Sequence, residues 1–170
     1  MNKIEFKDLP DTTTPLSANN LNTMQDNIES EFNKKELQYI IATINNTQTT
    51  STDYYVTLNT IHSNQGNFTL SNGAIVIGEG IHHIRISASI FCDQWPTGDK
   101  YLWTKIYKNS TFVSGSINSS TTGVISSSVS PIIIEVQQND EIKLMADTYN
   151  TTATIRQDAA NTFLCVEKID

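Results

Sequence analysis

The spacing of apolar residues changes period near residue 37, and no single kind of regular structure satisfies both sides of that change. Upstream, between Ser17 and Glu36, Leu21, Met24, Ile28 and Phe32 advance by 3, 4 and 4 positions, which places them along one face of a helix. Downstream, short runs rich in Ile, Val, Thr and Tyr are punctuated by Asn, Ser and Gly, and no second helical pattern follows. The chain therefore divides into an N-terminal arm and helical stem, residues 1–37, and an all-β head, residues 38–170. A small stem carrying a β head suits a device that presents a surface better than it suits a catalyst.

Local chemistry supports the stem. Pro10 and Pro15 hold Leu9 and Thr14 out of the helical region, Ser17 is a good N-cap, and Leu16 can meet Leu21 across that cap. A helix over 18–36 follows, about 28 Å long at ~1.5 Å per residue. Its stripe is shorter than the run of heptads that specifies a coiled coil unaided, and such a helix is marginal alone. The apolar face needs a partner: sister copies in a threefold stem, or the chain's own β domain.

In the head, strands are expected near 38–45, 54–59, 67–71, 74–78, 81–92, 101–108, 111–117, 123–129, 131–137, 141–148, 153–156 and 162–169. Asn72-Gly73 between Phe68-Thr69-Leu70 and Ala74-Ile75-Val76-Ile77 predicts a tight hairpin, since both turn residues tolerate positive φ. Gly78-Glu79-Gly80 turns the chain into its clearest strand, where Ile84, Ile86, Ala88 and Ile90 share one face and His83, Arg85, Ser87 and Ser89 the other. Many short strands at this spacing indicate a jelly-roll β-sandwich. The serine-rich stretch 109–130 offers surface without much core.

A chain of 170 residues supports one such core plus an appendage. Charged residues are 17% of the composition, below the roughly 25% usual for soluble proteins, so Asn, Ser and Thr carry much of the polarity. A net charge of −7 without any Lys/Arg cluster argues against nucleic acid as a partner. Apolar runs such as Ile132-Ile133-Ile134 fall far short of the roughly 20 residues of a membrane-spanning helix, so no membrane insertion is expected. Residues 1–16 lack the basic start and apolar centre of a secretory signal, and a cytoplasmic start at Met1 is expected. Cys92 and Cys165 are read as buried thiols rather than a disulfide.

Little here points to catalysis. His82-His83 with Cys92 lacks paired-ligand spacing, and adjacent strand residues point to opposite faces, so no metal is expected. No nucleophile elbow surrounds any serine, and Gly78-Glu79-Gly80 lacks the third glycine and following helix of a dinucleotide fingerprint. The acidic pairs Asp140-Glu141 and Asp93 with Asp99 fit turn chemistry. No cofactor is expected, and the chain is read as no enzyme. The loop Asp93-Gln94-Trp95-Pro96-Thr97-Gly98-Asp99 is more suggestive. An indole face can cover the apolar side of a sugar ring while Asp93, Gln94 and Asp99 hold its hydroxyls. Tyr101, Trp103 and Tyr107 share one face of the next strand, a stripe suited to packing or to contact between subunits.

Two stretches resemble known families. The run from Asp8 to Gln25, with Thr14-Pro15-Leu16, Ala18 and Asn20-Leu21-Asn22 before Met24-Gln25, resembles the opening of tail and baseplate proteins from phages of Gram-positive bacteria. The remainder is similar to the trimeric jelly-roll heads of the tumour necrosis factor and complement-head superfamily, through Gly66 to Leu70, Gly80 to Ala88, Lys105 to Asn109, Asn139 to Leu144 and Thr162 to Glu167. The resemblance implies a homotrimeric receptor-binding protein of a virion tail or baseplate, made in the bacterial cytoplasm. Residues 1–36 would join other tail or baseplate proteins, and the head would adhere to host cell-wall polysaccharide or teichoic-acid sugar. The trimer would bury Leu21, Met24, Ile28 and Phe32 of the stem with Tyr101, Trp103 and Tyr107 of the head. A structural fibre or accessory component that binds nothing is the alternative.

Overall fold

The computed structural model describes residues 18–34, 37–93, 100–121, 123–149, 151–157 and 161–169. The chain divides into two units, Met1–Glu36 and Leu37–Asp170. In the first, α1 spans Ala18–Lys34, within the span that the apolar spacing predicts. Thr23 Oγ1 donates to the Asn19 carbonyl one turn back at 2.8 Å. Met24 and Ile28 are exposed and Leu21 half-buried, while the Phe32 side chain is outside the described ones. Ser17 and the arm before it also lie outside the described residues. No described helix is long and apolar enough to cross a membrane.

The second unit is a jelly-roll β-sandwich of thirteen strands among the described residues. One sheet holds β1 (Tyr39–Thr43), β2 (Gln48–Thr50), β4 (Thr60–Gln65), β7 (His83–Asp93), β10 (Val124–Glu135), β12 (Ala153–Ile155) and β13 (Phe163–Lys168). The facing sheet runs β5 (Phe68–Ser71), β6 (Ala74–Ile77), β11 (Glu141–Asp147), β8 (Lys100–Lys108), β9 (Thr111–Ser120), with β3 (Tyr54–Tyr55) also on β11. All recorded pairings are antiparallel. β7 is the hub of its sheet: β10 lines one edge, and β13 and β12 divide the other.

Alternation places the core. From the first sheet Ile40, Ile84, Ile86, Ile90 and Val166 point inward, and from the second Ile75, Leu102, Ile106, Ile142 and Leu144, all essentially inaccessible. Thr104, also fully buried, donates from Oγ1 to the Ser127 carbonyl at 3.0 Å, so its hydroxyl is satisfied where β8 meets β10. Asn72 and Gly73 adopt φ of 49° and 78° between Ser71 and Ala74, as the hairpin reading requires. Asn139, at φ 71°, turns the chain into β11.

Three expected strands take other forms. The stretches near 123–129 and 131–137 join into β10, because the register slips between Val129 and Ile132 around Pro131, which has no amide hydrogen for the ladder. The strand near 54–59 shortens to Tyr54–Tyr55, with Leu58 making only a bridge to Gly73. Conversely β4, Thr-Ile-His-Ser-Asn-Gln, carries no alternating apolar signal and forms by pairing with β1. Cys92 faces the core, and Cys165 lies on the outer side of the same sheet; both are free thiols. Burial, with the Asp93 charge beside it, pushes the Cys92 thiol up to about 12.

Candidate functional site

Strand alternation that sends Leu102, Thr104 and Ile106 inward sends Tyr101, Trp103, Lys105 and Tyr107 to the outer face of the second sheet. Their neighbours there follow from register: Phe112 opposes Tyr107, Gly115 opposes Lys105 and Ile117 opposes Trp103 from β9, while Met145 opposes Lys105 and Asp147 opposes Trp103 from β11. Tyr55 of β3 opposes Met145. The three aromatic residues of the sequence-predicted stripe thus share one outer face, and they are joined there by Tyr55, Phe112 and Tyr149.

The six rings form one connected chain. Tyr55 meets Tyr107 edge-on at 5.7 Å, Tyr107 meets Phe112 at 5.9 Å, and Phe112 meets Trp103 at 6.2 Å. Trp103 then stacks on Tyr149 at 6.4 Å with planes 11° apart, and Tyr149 meets Tyr101 edge-on at 6.0 Å. Such geometries contribute about 0.5–1.5 kcal/mol per pair beyond area burial. Trp103 and Tyr107 are half-buried supports, whereas Tyr55 and Tyr101 are 44% exposed and Phe112 and Tyr149 48%. The indole reaches across β9 because Gly115 has no side chain. A Cβ there would stand 2.6 Å from Trp103 Nε1.

A buried ammonium ties the face together. Lys105 Nζ donates to Asp147 Oδ2 and to Asp53 Oδ1, each at 2.8 Å, and lies 4.2 Å from the Trp103 ring centroid. Burial alone would favour the neutral amine, but the hydrogen bonds and charges of Asp147 and Asp53 outweigh it and hold the Lys105 pKa above its ordinary value. The other oxygen of Asp147, Oδ1, accepts from the Tyr149 amide at 2.9 Å. Tyr149 and Asp53 both sit at positive φ, 49° and 50°, conformations uncommon for residues with a side chain. One lysine therefore ties together the turn that carries the exposed Tyr149 and the Asp53 turn that leads into β3 and the exposed Tyr55.

At one end of the face Tyr101, Ile117, Thr148, Tyr149 and Thr151 line a concavity of about 380 Å³. Thr148 and Thr151 each donate a hydroxyl hydrogen to the other's backbone carbonyl, the Thr151 bond measuring 2.6 Å. Both hydroxyl oxygens therefore keep lone pairs as acceptors. In sequence, Tyr101 is two positions beyond Asp99, the last of the candidate contacts in the loop around Trp95. Of that loop's candidate contacts, Gln94, Trp95 and Asp99 lie outside the described residues. Asp93, at the end of β7, is ion-paired through Oδ2 with Arg156 Nε, and its Oδ1 is buried without a partner among the described residues.

Sequence reasoning missed Lys105, Phe112, Tyr149 and Tyr55. Lys105 occupies a stripe position and could have been found by asking what neutralises a lysine between aromatic residues; Tyr149 lies in a turn whose path no periodicity gives. A second concavity, about 330 Å³, is lined by His82, His83, Lys108, Glu135, Val136 and Gln137. His82 and His83 thus lie at the surface and Cys92 in the core, and among the described residues no three His, Cys, Asp or Glu side chains gather to hold a metal ion. Asp140 is occupied in its turn, accepting from Asn109 Nδ2 and the Gln137 amide, each at 2.9 Å.

No protein-family model matches the sequence, and no curated protein does. Among solved structures, murine APRIL at pH 8.5 superimposes with a TM-score of 0.61 at 12% identity, over 79% of this chain and 100% of that one. The Eiger TNF structure from S. frugiperda gives 0.58 at 11%, over 79% and 92%. The globular domain of zebrafish complement 1qA gives 0.54 at 11%, over 78% and 98%. At these identities the likeness shows a shared fold: the head is a jelly roll of the kind seen in tumour necrosis factor relatives and complement heads.

Proposed function

We propose that the chain is a receptor-binding protein of a phage or prophage tail or baseplate, which adheres to host cell-surface saccharide through a trimeric β head and turns nothing over. One observation carries the adhesive part: an exposed, laterally braced aromatic face ending in a concavity where Tyr101 and Tyr149 stand beside the half-buried Thr151 hydroxyl. Aromatic rings offer stacking area to the C–H side of a sugar, and neighbouring oxygens accept from its hydroxyls. The tail reading rests on the sequence from Asp8 to Gln25, and the threefold reading on the jelly-roll likeness and the exposed Met24 and Ile28 of α1. Residues 1–36 would dock on other virion proteins, and Leu21, Met24, Ile28 and Phe32 would meet their counterparts in sister chains, while the stripe Tyr101, Trp103 and Tyr107 would belong to the ligand face in place of the trimer seam. In the head, Trp95 with Asp93, Gln94 and Asp99 would extend the contact made by Tyr101. Three heads on one particle gain avidity, so weak binding by each suffices.

Light scattering on the full chain tests the assembly: three chains of 18.9 kDa give about 57 kDa, and a monomer at micromolar concentration refutes it. Sedimentation with purified Gram-positive cell walls tests adhesion. The wild type should pellet with walls of its host, and Tyr101→Ala and Trp95→Ala should reduce that severalfold. A head that pellets with no wall is a structural spacer instead. Polymer of unchanged length after incubation is expected, and its shortening would refute adhesion without turnover.

A further inference from the structure

The concavity occupies only one end of the aromatic face. Tyr101 and Tyr107 are six residues apart on β8, about 20 Å at ~3.3 Å per residue, and at Tyr107 the rings spread sideways to Tyr55 on the β11 side and Phe112 on the β9 side. The middle of this line is not open: Trp103 is engaged by Tyr149, Phe112 and the Lys105 ammonium. The open rings gather at the two end positions of the β8 stripe, Tyr101 with Tyr149 beside it at one and Phe112 and Tyr55 on either side of Tyr107 at the other, all four close to half exposed. A single sugar ring can cover one end and cannot reach the other.

Charge restricts what can lie along this line. Lys105, the cation at its centre, is already matched by Asp53 and Asp147, which leaves that cluster with a formal charge of −1, and Lys143 beside Tyr107 is paired with Glu141 at 2.6 Å. The chain as a whole carries −7. A polyanion would meet excess negative charge with no unpaired ammonium among the described side chains of the face to answer it. Thr151, half-buried and with its hydroxyl hydrogen spent on the Thr148 carbonyl, presents an acceptor suited to a ligand rich in O–H donors, while Thr148 is buried behind it.

Resting on the adhesive reading above, we propose that this face holds an extended, uncharged glycan across two subsites, one at Tyr101 and Tyr149 and the other at Phe112 and Tyr55. Both subsites are tied to the Lys105 clamp, which holds the turn bearing Tyr149 and the Asp53 turn that leads into β3 and Tyr55.

Calorimetric titration of the full chain with cello-, chito- and malto-oligosaccharides of one, two, four and six units tests the proposal, with polyglycerol phosphate as the anionic comparison. In at least one neutral series affinity should climb at least tenfold from two units to six. Tyr101→Ala should abolish binding at every length, and Tyr101→Phe, which keeps the ring, should restore it. Phe112→Ala should leave the short oligomers unaffected and remove the gain with length. Equal affinity at all lengths overturns the second subsite while leaving the adhesive reading intact, and preference for polyglycerol phosphate overturns the neutral class. No binding to any neutral series, while cell walls still pellet the protein, likewise overturns the inference alone; no binding to either removes both. A fall in solution mass on Phe112→Ala would assign that end to contact between copies, and overturn the proposal.

Discussion

Replacing Gly115 by alanine should collapse the outer aromatic face while sparing the core behind it. The added Cβ would meet Trp103 Nε1 at 2.6 Å, the Thr104 carbonyl oxygen at 2.9 Å and Phe112 Cε2 at 3.3 Å. The indole can swing aside, but the carbonyl belongs to the neighbouring strand and moves only if the β8–β9 ladder bends. Overpacking of this kind costs about 1–3 kcal/mol. Swinging Trp103 away also loses its contacts with Phe112 and Tyr149, about 0.5–1.5 kcal/mol each. The two overlap in part, since relieving the clash is what breaks the contacts, so a loss of roughly 2–4 kcal/mol is expected. At about 3 °C per kcal/mol for a chain of this size, Tm should fall by roughly 6–12 °C. The assay is thermal unfolding followed by tryptophan emission in a Trp95→Phe background, where Trp103 is the sole indole. Gly123→Ala, with nothing within 4 Å of its added Cβ, is the control. A Gly115→Ala melt within 1 °C of the parent, with unshifted emission, would refute the reasoning that the missing side chain exists to seat the indole.

Lys105→Met should cost about 3–5 kcal/mol, because it leaves the buried Asp147 carboxylate unpaired, whereas Asp53→Asn, at an exposed partner, should cost under about 1 kcal/mol; chemical denaturation of both variants measures the contrast. Cys92, fully buried and with its thiol pushed up to about 12, should resist a thiol reagent at neutral pH until the head unfolds, and prompt modification of Cys165→Ser protein would contradict that burial. Burial of Asp140 acts to raise its carboxyl, but hydrogen bonds from Asn109 and Gln137 and the Lys108 charge prevail and hold it below its ordinary value of 3.8. With its folded pKa depressed, it contributes stability that is fully present above that ordinary value and is lost as pH falls through the folded pKa. The stability gap between wild type and Asp140→Asn should therefore narrow on acidification below about pH 4, and a gap constant with pH would refute it.

The sandwich was legible wherever one face is apolar and the other polar. Ile84, Ile86, Ala88 and Ile90 announced β7 and its inward face, and Asn72-Gly73 announced the β5–β6 hairpin, because period and turn chemistry are local properties. β4 and β2 were not legible, since their polar runs become strands only by hydrogen bonding to β1 and β12. The Tyr101, Trp103, Tyr107 stripe could be placed on one side of a strand from its alternation alone. Its partners could not, because Tyr149, Phe112 and Tyr55 reach it through register and through turns at positive φ, which depend on the whole sheet. Lys105 was hidden for a similar reason: Asp53 and Asp147, which neutralise it, are 52 and 42 residues away along the chain.

The division of β8 between inward Leu102, Thr104 and Ile106 and outward Tyr101, Trp103 and Tyr107 separates two kinds of selection on a single segment. Exchange of the half-exposed Tyr101, which makes one ring contact, changes what the molecule touches at a cost of about 0.5–1.5 kcal/mol, and even Phe112, with two, stays clear of the core. Gly115 and Lys105 set the limit of that freedom. A lineage that keeps those two can rewrite its contact surface ring by ring, and one that loses either must rebuild the turns that display it.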